Sequence, residues 1–244
     1  MVLPFLRMTN SETGNLPPSS EGVWTIVVAG GSGRRFGALK QYAEVGNRRL
    51  VDLAMETARR NSEGVVLVVP AEDAAREGGV AGGPTRTASV RNGLAAVPAE
   101  AEVVLVHDAA RPFASDRLFA DVVAAVRAGA DGAIPGLPVV DTVKSIEVVP
   151  SPSLGLGAGV PAVVPKVTGT PDRATLVAVQ TPQAFEAGVL RRAYAGEIDA
   201  TDDAALVEAV GGTVVVVPGE PDNRKITLPE DLVWARSHVE ASRR

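Results

Sequence analysis

The sequence predicts an α/β fold, one large domain with a mostly parallel, twisted sheet covered by helices on both faces. Three observations carry this. Short β-branched runs alternate with Ala-rich helical stretches. The runs are apolar at nearly every position, as strands buried on both faces require. The chain has 244 residues, 45% hydrophobic and 22% charged, which suits one sizeable core.

The elements follow in order. Residues 1–22 are rich in Ser, Pro, Gly, Asn and Thr without periodicity, and a disordered tail is expected there, with the domain spanning 23–244. VWTIVVA (23–29) reads as the first strand, 48–60 as a helix and VVLVVP (65–70) as the next strand. A helix over 86–97, the strand EVVLVHD (102–108), a helix over 116–128 and the strand GAIPG (132–136) continue the alternation. Between about 137 and 180 it breaks. VVDTVKSIEVV, VVPKVTG and LVAVQTP read as strands around the Gly/Pro loop PSPSLGLGAGVPA, so an inserted β-arm is expected. Helices over 184–195 and 202–210, the strand GTVVVVPG and a closing helix PEDLVWARSHVEAS with Pro229 in its first turn complete the chain.

Composition excludes several functions. There are no cysteines, which removes disulfides and thiolate chemistry, and the two histidines, His107 and His238, form no zinc-ligand pattern. A net charge of −5 argues against nonspecific nucleic-acid binding, so an anionic ligand has to be held locally. No run is long and apolar enough for a membrane span and no signal peptide is evident, so the expected location is the cytoplasm.

AGGSGRRFGALKQY (29–42) follows the first strand, at the carboxyl edge where open α/β sheets bind ligands. Glycines let backbone N–H groups approach an anion closely, and phosphate is the expected one. The spacing of Gly31, Gly33 and Gly37 misses the dinucleotide fingerprint by one residue, which argues against an NAD-dependent dehydrogenase, and no Lys-Ser or Lys-Thr makes a P-loop. The loop carries its own cations, Arg34, Arg35 and Lys40. Only four of the 24 basic residues are lysines, Lys40, Lys144, Lys166 and Lys225, which marks them as candidates for positions needing a compact point charge.

In VHDAARP (106–112), Asp108 leaves a strand at the same edge and is a candidate ligand for a hard divalent cation, with Arg111 as a phosphate clamp and His107 as a hydrogen-bonded structural residue. PDNRKITLPEDL (221–232) adds Asp222 and Lys225, completing a phosphoryl-handling set of cations and two carboxylates, Asp108 and Asp222.

These motifs, with TRTASVRNGL, DTVKS, PDR, TPQAF and TDDA in order between about 24 and 240, closely resemble the 2-C-methyl-D-erythritol 4-phosphate cytidylyltransferase family. The resemblance implies a Rossmann-like nucleotidyltransferase domain that transfers CMP from CTP to methylerythritol phosphate in the non-mevalonate isoprenoid pathway, giving the CDP-alcohol and pyrophosphate. By motif, Arg35, Lys40 and Lys225 would be the catalytic cations, and Asp108 would hold Mg²⁺. The backbone of Ala29, Gly30, Gly31, Ser32 and Gly33 would cradle the triphosphate; residues 29–31, Gly82, Gly83 and Ser89 would read cytosine. Arg111, Thr142, Arg173, Thr181 and Thr201 match positions near methylerythritol phosphate, with Thr142 and Arg173 reaching across from a partner through the β-arm of a homodimer. Leu39 stands where the family commonly has Pro, the 150–162 segment looks long, and GGPTRTAS lacks an acidic residue after its glycines.

The alternatives are a cytidylyltransferase for another polyol phosphate, such as ribitol 5-phosphate, and a catalytically silent nucleotide-binding protein. No fused cyclodiphosphate synthase is expected beyond the helix closing near 240.

Overall fold

The computed structural model describes residues 20–30, 40–154, 161–196, 200 and 202–242. Contacts divide the chain into two compact units, one containing Leu137–Ala178 and the other the described residues up to Gly136 and from Val179 onward.

The larger unit begins with β1 (Val23–Val28), the small hairpin β2 (Glu44–Val45) and β3 (Arg48–Arg49), and α1 (Leu50–Arg60). β4 (Gly64–Val69), α2 (Ala74–Glu77), β5 (Val80–Ala81), α3 (Arg86–Ala95), β6 (Val103–Asp108), α4 (Asp116–Arg127) and β7 (Gly132–Pro138) follow. The smaller unit holds β8 (Ser145–Pro150) and β9 (Val163–Gly169), while β7 and β10 (Val177–Val179) both cross the boundary. The chain closes with β11 (Gln183–Glu186), α5 (Ala187–Tyr194), α6 (Asp203–Ala209), β12 (Val214–Pro218) and α7 (Pro229–Ser242).

Across the main sheet the order runs β7-β11-β6-β1-β4-β5, with β12 beside β7. β1 pairs in parallel with β4 and β6, β4 with β5, and β12 with β7. β6 is buried along its whole length, and its alternating side chains feed two layers. Val103 and Leu105 face one core with Met55 of α1 and Phe119 and Val122 of α4. Val104 and Val106 face the other, with Val90 of α3, Leu190 of α5 and Val207 of α6. α3 lies so close to the sheet that a Cβ on Gly93 would sit 2.7 Å from Ile26 Cγ2 and 2.8 Å from Val68 Cγ2. Thr85, Ser115 and Asp202 cap α3, α4 and α6 through their side-chain oxygens. A third cluster, Val45, Leu50, Ile226, Leu232 and Ala235, seats α7 and the segment leading into it.

Two expectations need correction. Residues 184–195 do not form one helix: Gln183–Glu186 is a strand, antiparallel to β6 and β7, and the helix starts at Ala187. Ala, Phe and Glu tolerate a helix, but the open slot between β6 and β7 offers two ladders of hydrogen bonds, and tertiary pairing overrides propensity. Similarly, the strand expected over VVDTVKSIEVV is confined to its second half, beginning at Ser145. Its partner β9 ends at Gly169, and Pro171, having no N–H, cannot extend the ladder. Within the arm, Lys166 Nζ bonds Glu147 Oε1 at 2.9 Å across the β8–β9 pair, and Arg173 donates to Val140 O at 2.6 Å. Among the described residues no helix is long and apolar enough to cross a membrane.

Candidate active site

β1 and β6 run side by side in parallel, with Val28 opposite Asp108, so both chains leave the sheet at the same edge. The backbone turns together there: Ala109 N donates to Val28 O at 3.0 Å, and Ala29 N to Val68 O at 2.7 Å. A cavity of about 560 Å³ opens above this edge. Its lining includes Ala29 and Gly30 after β1, Lys40 and Gln41, Gly83 to Arg86 and Ser89 around the start of α3, Asp108, and Lys225.

Asp108 is the electrostatic centre. Lys225 Nζ donates to its Oδ2 at 2.6 Å, and Arg86 Nη2 stands 3.6 Å from its Oδ1. Burial opposes its charged form, but Lys225 and Arg86 outweigh burial and hold the carboxyl well below the usual carboxylate range. Beneath it, Asp108 N donates to Thr181 Oγ1 at 3.0 Å, and Thr181 Oγ1 lies 3.2 Å from His107 Nδ1. The Thr181 hydroxyl thus links the backbone N–H of Asp108 to the His107 ring. His107 is fully buried edge-on to Phe119, and burial pushes its pKa down to about 4, so it is a neutral support under the site.

The segment carrying Lys225 is fixed from both sides. Ile226 N donates to Ala110 O at 2.8 Å, and Lys40 Nζ donates to Ile226 O at 3.2 Å, so two of the expected cations share one piece of backbone. Asn223, wholly buried, donates to Thr181 O at 2.8 Å, and Arg111 donates to Asn223 O at 2.7 Å. Gln180 clasps the same turn, donating to Glu220 O at 2.8 Å and accepting from Glu220 N at 3.0 Å.

On the opposite wall, Ser89 Oγ accepts from Gly83 N at 3.1 Å and donates to Thr85 O at 2.9 Å. A Cβ on Gly83 would lie 2.5 Å from the Cβ of Ala88, so this turn requires glycine.

The cavity thus gathers Ala29, Gly30, Lys40, Gly83, Ser89, Asp108 and Lys225 from the residues singled out in the sequence. Ala29 offers a ligand no N–H, since its own is bonded into the sheet. Gly82 sits behind the wall, its N–H donating to Val69 O at 2.7 Å. Arg111 and Thr181 lie beneath the cavity and brace it. Asp222 is exposed and outside the lining. Thr142 and Arg173 belong to the arm unit. Gly31, Ser32, Gly33, Arg35 and Thr201 lie outside the described residues.

Sequence reading passed over Arg86, Asn223 and Gln180. Arg86 stood inside the TRTASVRNGL motif, and an arginine at the first position of a helix capped by Thr85 was the available signal. Asn223 and Gln180 act through long-range bonds to backbone, which no local pattern announces.

Three cations and one carboxylate around a cavity at the carboxyl edge of a parallel sheet define an anion-handling α/β protein. Comparison with known proteins narrows this: residues 23–241 match the family described as IspD, 2-C-methyl-D-erythritol 4-phosphate cytidylyltransferase, and the chain belongs to that family. It is 44% identical over 231 residues to the 2-C-methyl-D-erythritol 4-phosphate cytidylyltransferase of Nocardia farcinica, covering 88% of this chain and 93% of the relative. It is 46% identical over 239 residues to a bifunctional enzyme IspD/IspF of Anaeromyxobacter dehalogenans, covering 91% of this chain but only 58% of that relative's length. A crystal structure of 4-diphosphocytidyl-2C-methyl-D-erythritol synthase from Anaerococcus prevotii superposes with a TM-score of 0.72 at 31% identity, covering 89% of this chain and 96% of the other.

Proposed function

We propose that this chain transfers CMP from CTP to 2-C-methyl-D-erythritol 4-phosphate, releasing pyrophosphate. The observation that supports it most is the convergence of Lys40, Arg86 and Lys225 with a single carboxylate, Asp108, in one cavity. The acceptor phosphate has its second pKa near 6, so its oxygen is already anionic at neutral pH and needs no general base. That oxygen attacks the α-phosphorus of CTP, the bond from the α-phosphorus to the bridging oxygen breaks, and pyrophosphate leaves with the electron pair. The barrier is chiefly repulsion between two anions. Lys40 and Lys225, with Arg35 by family resemblance, are the cations that offset it where charge gathers in the transition state. Gly83 and Ser89 form the wall assigned to cytosine, and Thr142, Thr181, Arg111, Arg173 and Thr201 remain the residues assigned to the acceptor.

A divalent cation such as Mg²⁺ fits the donor set on one condition. Among the described residues no three His, Asp or Glu side chains cluster, so the protein offers Asp108 and the rest of the coordination has to come from phosphate oxygens and water. Bound there, such an ion neutralises charge on the leaving pyrophosphate.

The arm, about 137–180, is read as an insertion in a single 23–244 domain and as the contact of a homodimer. Ile146, Val148, Val163 and Val167 on β8 and β9 are each more than half exposed, an apolar surface suited to a second copy. A cytoplasmic location belongs to the same reading.

The deciding assay is pyrophosphate release with Mg²⁺, pairing methylerythritol phosphate or ribitol 5-phosphate with CTP, UTP, ATP or GTP. Release confined to CTP with methylerythritol phosphate is expected. Release only with ribitol 5-phosphate overturns the acceptor, and none with any pair overturns the activity.

A further inference from the structure

One buried carboxylate, Asp203, has no part in the chemistry above. Arg86 Nη2 lies 2.6 Å from Asp203 Oδ2, at the start of α6, and the same nitrogen lies 3.6 Å from Asp108 Oδ1. Asp203 is fully buried, and its other oxygen accepts from the hydroxyl of Tyr194 on α5. Thr87 adds a fastening next door, its Oγ1 bonding both O and N of Ala200 at 3.3 Å. Arg86 is therefore shared unequally between two carboxylates. Asp203 holds it at hydrogen-bonding distance, while Asp108 stands beyond that reach. On Asp108 the oxygens differ accordingly: Lys225 takes Oδ2, and Oδ1 is faced by Arg86 without a hydrogen bond.

We propose that Asp203 is a positioning residue that restrains Arg86 and so keeps Asp108 Oδ1 available to the divalent cation accompanying the nucleotide. The inference rests on reading the cavity as a CTP site. Without the charge of Asp203, Arg86 closes on Asp108 and competes with the incoming cation for the same oxygen. The cluster then gains one positive charge, which favours a bare triphosphate and disfavours its metal complex.

The test is calorimetric titration of the purified protein with CTP, with and without Mg²⁺, alongside thermal unfolding. For Asp203→Asn, the Kd for CTP with Mg²⁺ rises about tenfold, a coupling of ordinary size, while the metal-free Kd is unchanged or lower. Adding Arg86→Gln to that variant removes the competitor and returns the ratio of the two constants to within about threefold of wild type. Tyr194→Phe keeps every charge and loses one hydrogen bond to Asp203, so it moves the ratio the same way by about threefold and decides the matter if Asp203→Asn does not fold. Equal weakening with and without metal, or no recovery on adding Arg86→Gln, overturns the inference. A wild type that binds no CTP overturns the reading of the cavity itself.

Discussion

Replacing Lys225 by alanine removes the ammonium 2.6 Å from Asp108 Oδ2 and separates two effects. Breaking a buried ion pair usually costs about 3–5 kcal/mol. Here the Lys225 side chain is 45% exposed and Arg86 still faces the other carboxylate oxygen at 3.6 Å, so solvent screening reduces the loss to about 1–2 kcal/mol. That lowers the melting temperature by about 2–8 °C in a chain of this size. The protein stays folded at assay temperature, and the rate carries the larger effect. Losing one preorganised donor at a developing charge costs about 10²-fold or more in kcat, ~2.7 kcal/mol. The measurement is pyrophosphate release at saturating CTP, methylerythritol phosphate and Mg²⁺, with unfolding followed on the same preparation. Lys225→Arg retains most of the stability but recovers only part of the rate, because a planar fork replaces a compact charge. A kcat for Lys225→Ala within about threefold of wild type, with the fold intact, refutes the role of Lys225 as a catalytic cation.

Further outcomes are expected elsewhere. Gly93→Val drives a branched side chain into Ile26 and Val68 and destabilises by about 2 kcal/mol or more in urea unfolding, with KM values unchanged. Gly83→Val, clashing with Ala88 at the cavity wall, raises the KM for CTP as well as lowering the unfolding midpoint; an unchanged KM would remove this turn from the CTP wall. The only two tyrosines, Tyr42 and Tyr194, both titrate late, Tyr42 at about 12 because burial and the carboxylate of Asp73 oppose its phenolate. With folded values above the unfolded value near 10, both contribute stability that is full below pH 10 and is lost as pH rises toward the folded values. Tyrosinate absorbance of the native protein therefore stays flat at pH 10, where the unfolded chain is half titrated. Ile146→Asp with Val148→Asp is expected to convert a dimer into a monomer by light scattering, and an unchanged mass would remove the arm from the interface.

The parallel strands and their helices were legible because burial on both faces leaves an unbroken apolar run, as in β6, and because helix starts carry caps such as Ser115. β11 was not, because four residues of mixed propensity acquire strand geometry only from the two neighbours that flank them. At the site, Asp108 and Lys225 were legible as chemistry at the sheet edge, and the fold brings them into direct contact. Arg111 was legible as a cation for phosphate, but its donation to Asn223 O and Val179 O was not. A charge in a sequence carries no record of what the backbone will ask of it. Asp203 escaped notice for the same reason, since its partners lie on α3 and α5.

The chain leaves the larger unit after Gly136 and comes back to it at Val179, and the two crossing points are tied by Gln180 N donating to Pro135 O at 2.8 Å. An excursion whose ends are pinned together is a closed loop, and the entropy of closing one grows only with the logarithm of its length. Doubling that length costs about 0.6 kcal/mol. The cavity floor at the ends of β1 and β6 contributes nothing to that loop and is indifferent to its length. Arms of different lengths, or grafted from other proteins, can therefore be spliced at Gly136 and Val179 at little thermodynamic penalty.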